Sequence, residues 1–141
     1  MFCNVGMAGI LVVEDQSIIA EDLKDIIVRL GYRADSVDNG LDAIARVKLN
    51  LPDLVFMDVR LNGEMDGMEA ATILMDRFRV PIVFVSALPV SEVLRKVPSA
   101  FGSIRKPFQD ADVQGWIEKA LVHRKEQTAG DCGQKSQEMS A

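Results

Sequence analysis

Residues 53–58 read Asp-Leu-Val-Phe-Met-Asp, an unbroken apolar run introduced by Pro52 and closed by Asp58. A half-buried strand would alternate polar and apolar residues. A short continuous run fits a strand covered on both faces, the usual state of a central strand in a parallel sheet. Outward in both directions the same reading recurs. Ile10 to Val13 is a second such run and ends at Glu14-Asp15, and Pro81 to Val85 is a third and ends at Ser86. Tyr32 to Val37 is a more polar strand, placed nearer an edge, and Phe101 to Arg105 is a weaker fifth.

Between these strands the apolar period changes to that of a helix. Ile18, Ile19, Leu23, Ile26, Ile27 and Leu30 share one face, with Glu21, Asp22, Lys24 and Asp25 opposite. Gly31 follows as the residue that stops the helix. Asn39-Gly40 marks a turn, after which Leu41, Ile44, Ala45 and Val47 to Leu49 make a shorter helix. Met68, Ala71, Leu74, Met75 and Phe78 give another stripe. Pro89 and Pro98 frame the stretch from Leu88 to Pro98, so its helix should be short or irregular. Val113, Trp116, Ile117, Ala120 and Leu121 mark the last helix, in which Trp116 is packed and His123 sits near the negative end of the dipole. Strand and helix alternate about five times, the pattern of an α/β fold with a parallel sheet covered by helices on both faces.

The 141 residues suit one domain. Residues 8–123 form it, 1–7 are an N-terminal extension, and the polar, aperiodic stretch 124–141 is expected to be a disordered tail. A composition of 48% hydrophobic and 26% charged residues is that of a soluble globular protein. The net charge of −5 argues against direct nucleic-acid binding, which needs a basic face. Cys3 and Cys132 lack metal-ligand spacing, so a reduced, cytoplasmic state is expected. The apolar stretch Met1 to Val13 has no Lys or Arg and is too short to span a bilayer, which argues against a signal peptide and membrane insertion.

Open α/β sheets bind ligands beyond the carboxyl ends of their strands. Collected there are Glu14 and Asp15 after the first strand, Asp58 after the third, Ser86 after the fourth, and Lys106-Pro107 after the fifth. Each has an ordinary structural reading. Asp15 or Ser17 can cap the first helix, Asp58 a turn, Ser86 can be a satisfied loop hydroxyl, and Lys106 a snorkelling surface lysine. Their joint arrival at the ends of four strands changes the balance. Three carboxylates on one rim repel one another, which folding alone would not select. A hard divalent cation resolves the repulsion, and Mg²⁺ takes a few carboxylates together with water and a phosphate oxygen.

The motifs LVVEDQ (11–16), DLVFMD (53–58), MDGMEAA (65–71), VFVSA (83–87) and IRKPF (104–108) stand in an order and at spacings that resemble the receiver domains of two-component response regulators. The resemblance covers roughly residues 8–123 and implies a flavodoxin-like (βα)5 doubly wound sheet with strand order 2-1-3-4-5. It implies Asp58 as phosphoacceptor, with Glu14, Asp15, Asp58 and the backbone carbonyl of Arg60 holding Mg²⁺, or Mn²⁺ in its place. By the same resemblance Ser86 hydrogen-bonds a phosphoryl oxygen, Lys106 pairs with its charge, and the Lys106-Pro107 bond is cis. The partners implied are a sensor histidine kinase or histidine phosphotransfer protein and a downstream protein target, for a monomer or weak homodimer without an attached output domain.

Three departures stand out. The loop after Asp58 is one residue longer than the family's, at Gly63-Glu64, which is similar to receivers acting with HWE-type kinases; Glu64 itself reads as surface. Ser103 occupies the position of a switch aromatic, and Phe101, two residues earlier, should by strand alternation point to the same face and could replace it, although its more ordinary reading is a core residue. The stretch from Ser86 to Lys106 is about two residues shorter than usual. A haloacid-dehalogenase-type enzyme would need a second Asp two residues after the nucleophile, where Arg60 stands. A receiver-like interaction module without phosphorylation would normally lose an acid or the lysine, and all are kept.

Overall fold

The computed structural model describes residues 8–61 and 63–123; the extension 1–7 and the tail 124–141 lie outside the described residues. Strands β1 (Gly9–Val13), β2 (Arg33–Val37), β3 (Leu54–Asp58), β4 (Ile82–Ser86) and β5 (Gly102–Arg105) alternate with helices α1 (Ser17–Arg29), α2 (Gly40–Leu49), α3 (Gly67–Phe78) and α4 (Val90–Lys96). A fifth helix, α5, runs over 110–123 to the limit of the described residues. All pairings are parallel, in the order β2-β1-β3-β4-β5. This is the flavodoxin-like topology, with a switch point where β1 and β3 adjoin.

The apolar runs form the middle of the sheet because both faces of it are covered. Every residue of β3 and β4 is buried, whereas β2, at the edge, is mostly half-exposed. Leu11, Val13, Val55, Met57, Ile82 and Phe84 point to one face, where Ala43, Val47, Ala70, Ala71, Leu74 and Val93 of α2, α3 and α4 meet them. Ile10, Val12, Leu54, Phe56, Val83 and Val85 point to the other, against Leu23, Ile26 and Ile27 of α1 and Val113 and Ile117 of α5. Burying a side chain of this size contributes about 1.5–3 kcal/mol, so the two layers hold the strand ends in place.

The helix ends follow local chemistry. Gly31, past the end of α1, has φ +100°, the left-handed conformation that lets the chain leave the helix. Helix α3 begins with a reciprocal cap: Asp66 accepts from the Glu69 N–H and Glu69 accepts from the Asp66 N–H. Helix α4 has 7 residues between Pro89 and Val97, as the two prolines imply. Of the ordinary readings of the first turn, the N-cap position of α1 falls to Gln16, which makes no side-chain cap hydrogen bond, and not to Asp15 or Ser17. Asp15 stands in the carboxylate cluster at the strand ends.

Candidate functional site

Four strand ends converge on one rim. Register places Val13 beside Met57 and Asp58 beside Val85, and Ser86 pairs with Arg105. The residues just past β1, at the end of β3, at the end of β4 and just past β5 therefore lie together. Asp15, Asp58, Arg60, Ser86 and Lys106 line one concavity of about 400 Å³.

Glu14, Asp15 and Asp58 each present a carboxylate oxygen, and these atoms lie within 4.8 Å of one another. Glu14 and Asp58 are buried, and Asp15 is half-buried. The Lys106 ammonium donates to Glu14 Oε1 at 3.2 Å and lies 3.7 Å from Asp58 Oδ2. The Arg60 N–H donates to Asp58 Oδ1 at 3.2 Å, while the Arg60 side chain is exposed. Ser86 Oγ accepts from the Leu88 N–H at 3.0 Å, and the Lys106 N–H donates to the Ser86 carbonyl at 2.7 Å. Asp58 and Ser86 thus also fulfil the turn roles that each could have alone.

The electrostatic load falls on Glu14. Burial pushes its carboxyl up from 4.5 to about 7, and the hydrogen bond with Asp58 adds to the rise. The Gln16 N–H, at 3.2 Å from Glu14 Oε2, and the Lys106 charge pull the other way. The donor set is three carboxylates, all oxygen, within 4.8 Å of one another, which fits a small hard cation of the Mg²⁺ kind.

The remaining positions divide. Lys106-Pro107 is cis. Ser103 is buried on the face of its β4 partner Phe84, the side covered by α4, and its Oγ has no hydrogen-bond partner among the described residues. Phe101 is not on that face, and the alternation argument is corrected. Its ring meets Trp116 edge-on at 5.8 Å and His123 at 5.4 Å, on the α5 side. Strand β5 starts at Gly102, and although the Phe101 N–H still donates to the Ile82 carbonyl of β4 at 2.8 Å, its ring turns into the core layer under α5. Glu64 is exposed, beside Asp15, Asp38, Leu41 and Met65 at a neighbouring concavity.

Two features escaped the sequence reading: the Asp66 capping box, legible as Asp66 followed three residues later by Glu69 before an apolar stripe, and the close approach of Gly67 to Asp58, for which no local signal exists.

Comparison with known proteins bears on the family and the fold. The family model for the response regulator receiver domain matches residues 10–118. The phyllosphere-induced regulator PhyR of Methylorubrum extorquens is 31% identical over 114 residues, 79% of this chain and 43% of PhyR. The transcriptional regulatory protein PdtaR of Mycobacterium tuberculosis is 30% identical over 123 residues, 85% of this chain and 60% of PdtaR. The chain spans less than two thirds of the length of either relative. Among solved structures, the signal receiver domain of a modulated diguanylate cyclase from Desulfovibrio desulfuricans superposes with a TM-score of 0.75 at 32% identity, covering 86% of this chain and 98% of that one. Among the described residues no helix is long and apolar enough to cross a membrane.

Proposed function

Given that the chain belongs to the response regulator receiver domain family, we propose that it is a phosphorylation switch in which Asp58 accepts a phosphoryl group from a histidine kinase or histidine phosphotransfer protein and thereby alters binding to a downstream protein. The observation that carries this reading is the meeting of Glu14, Asp15 and Asp58 oxygens within 4.8 Å, with the Lys106 ammonium 3.7 Å from the acceptor carboxylate.

In the proposed reaction an Asp58 carboxylate oxygen attacks phosphorus, the P–N bond to the donor imidazole breaks, and the leaving nitrogen keeps the electron pair. Glu14, Asp15, Asp58 and the Arg60 carbonyl would hold Mg²⁺, whose contribution is to neutralise charge on the phosphoryl oxygens. The chain supplies the rest. The Arg60 N–H fixes one Asp58 oxygen, leaving the other toward Lys106. The Ser86 hydroxyl already accepts from the Leu88 N–H, so its own proton is the group that faces a phosphoryl oxygen. Lys106 would exchange its contacts with Glu14 and Asp58 for the phosphoryl group, which brings close to two negative charges. Ser86 and Lys106 both begin loops, so the new contacts differ between the two states, as a population shift requires.

The test is incubation with acetyl phosphate and Mg²⁺, read by intact mass. A phosphoryl adduct is expected on the wild type, none on Asp58→Asn, and none when EDTA replaces Mg²⁺. A wild type that never acquires the adduct refutes phosphorylation and leaves a protein-binding module.

A further inference from the structure

We propose that Gly67 is a positioning residue for the phosphoacceptor, an inference that rests on the reading of Asp58 just given. Gly67 is the first residue of α3. A Cβ built on it would lie 1.8 Å from the Asp58 carbonyl oxygen, 2.9 Å from the Asp58 carbonyl carbon and 2.8 Å from the Val59 carbonyl oxygen. Real Cβ atoms essentially never come within 3.0 Å of another heavy atom, and the obstacle here is backbone, which cannot swing aside as a side chain can. Backbone freedom is not the reason for the glycine, since the positive-φ glycines are Gly31 and Gly63 and not Gly67. The requirement is space: α3 starts in contact with the backbone of the acceptor itself.

That contact closes the connection between β3 and α3 at its base. The Gly67 N–H donates to the Val59 carbonyl at 3.0 Å, and the Asp66–Glu69 cap holds the first turn in place behind it. Arg60 leaves this base with its N–H on Asp58 Oδ1. On the far side Met65 lies across Gly40, its Sδ 3.2 Å from where a Gly40 Cβ would be. The connection is therefore pinned at both sides, and the exposed Gly63-Glu64 stretch sits between the pins. Any side chain at Gly67 must push α3 away or push Asp58 and Val59 along the strand axis. Either movement displaces Arg60 relative to the carboxylate cluster.

The experiment titrates MgCl₂ into wild type, Gly67→Ala and Leu74→Ala by calorimetry. Leu74 is fully buried on the same helix and serves as the comparator for loss of stability alone. Gly67→Ala is expected to weaken Mg²⁺ binding roughly tenfold, the scale for groups that orient metal ligands, while Leu74→Ala keeps the wild-type affinity. Wild-type affinity in a folded Gly67→Ala protein, or equal weakening in Leu74→Ala, overturns the proposal. If Gly67→Ala does not fold, the exposed cap decides. Asp66→Ala should then weaken binding roughly threefold, with Asp66→Asn restoring it because Asn caps as well as Asp; an Asp66→Ala protein indistinguishable from wild type overturns the proposal. A wild type that does not bind Mg²⁺ at all sinks the functional reading as well, so the two failures are distinct.

Discussion

Replacing Glu14 by Gln should remove a pH-dependent penalty from the metal-free protein. The folded-state carboxyl is raised from 4.5 to about 7 by burial first and by Asp58 second. Between those values the folded chain binds a proton that the unfolded chain has released, so stability falls as pH rises through the window and the loss is complete above the folded value. One pKa unit corresponds to about 1.4 kcal/mol, so a rise from 4.5 to about 7 sets an upper limit of about 3–4 kcal/mol. Glu14→Gln has no such titration and also removes its coupling to Asp58. In EDTA, the stability of Glu14→Gln minus that of wild type should grow by up to about 3–4 kcal/mol between pH ~5 and pH ~8, measured by urea unfolding. Added Mg²⁺ should reverse the trend for the wild type alone, because the cation binds the ionised carboxylate and stabilises the folded state by mass action. A difference that stays flat across this range within about 0.5 kcal/mol, a usual margin for independent sites, would refute the electrostatic account of the cluster.

Ser103→Ala should stabilise the protein by about 1 kcal/mol in urea unfolding, since it deletes a buried hydroxyl that has no partner among the described residues; a loss of stability would mean the hydroxyl is satisfied after all. Gly102→Ala should destabilise by about 1–3 kcal/mol and shift Trp116 fluorescence, because the new methyl would lie 2.4 Å from the indole ring. Gly115→Ala, in the same α5 helix region with nothing within 4 Å, should instead stabilise by about 0.5–1 kcal/mol. The pair is informative through its opposite signs, and equal effects would contradict the packing of α5 on β5.

What the sequence made legible is what burial on two faces imposes. Strands β1, β3 and β4 stand out because neither of their faces can be polar, and α4 is short because proline stands at both ends of its stretch. The acids and Ser86 were legible because each directly follows or ends such a strand, and Lys106 because it follows the weaker β5 in an IRKPF motif. The face of Phe101 was misread because packing overrides alternation where the strand begins: its N–H still bonds the Ile82 carbonyl, yet its ring belongs to the core layer under α5. There the ring turns toward Trp116, in a sheet position where Gly102 leaves room for the indole. The role of Gly67 was hidden because its clash is with residues nine and eight positions earlier, brought back by the fold and not by local pattern.

The shortened stretch between Ser86 and Lys106 need not disturb the site, and the reason lies in the ladder. Strand β5 pairs with β4 over Val83↔Gly102 to Ser86↔Arg105, and the Lys106 N–H continues the ladder onto the Ser86 carbonyl at 2.7 Å. A slip of one residue along a strand would move Lys106 by about 3.3 Å and turn the side chains of β5 to the opposite face. That would set Ile104 against the α4 side and Ser103 against α5, at the expense of the Ile104 contacts with Val113 and Ile117 in one core layer. The register is thus held by burial, independently of how many residues α4 uses to cross between the strands. Loss of two residues falls on the length of α4, whose fully buried contact is Val93, while the distance from Lys106 to Asp58 is set by strands that the deletion does not touch. The chemistry of the rim and the shape of the α4 surface can therefore vary separately in this fold.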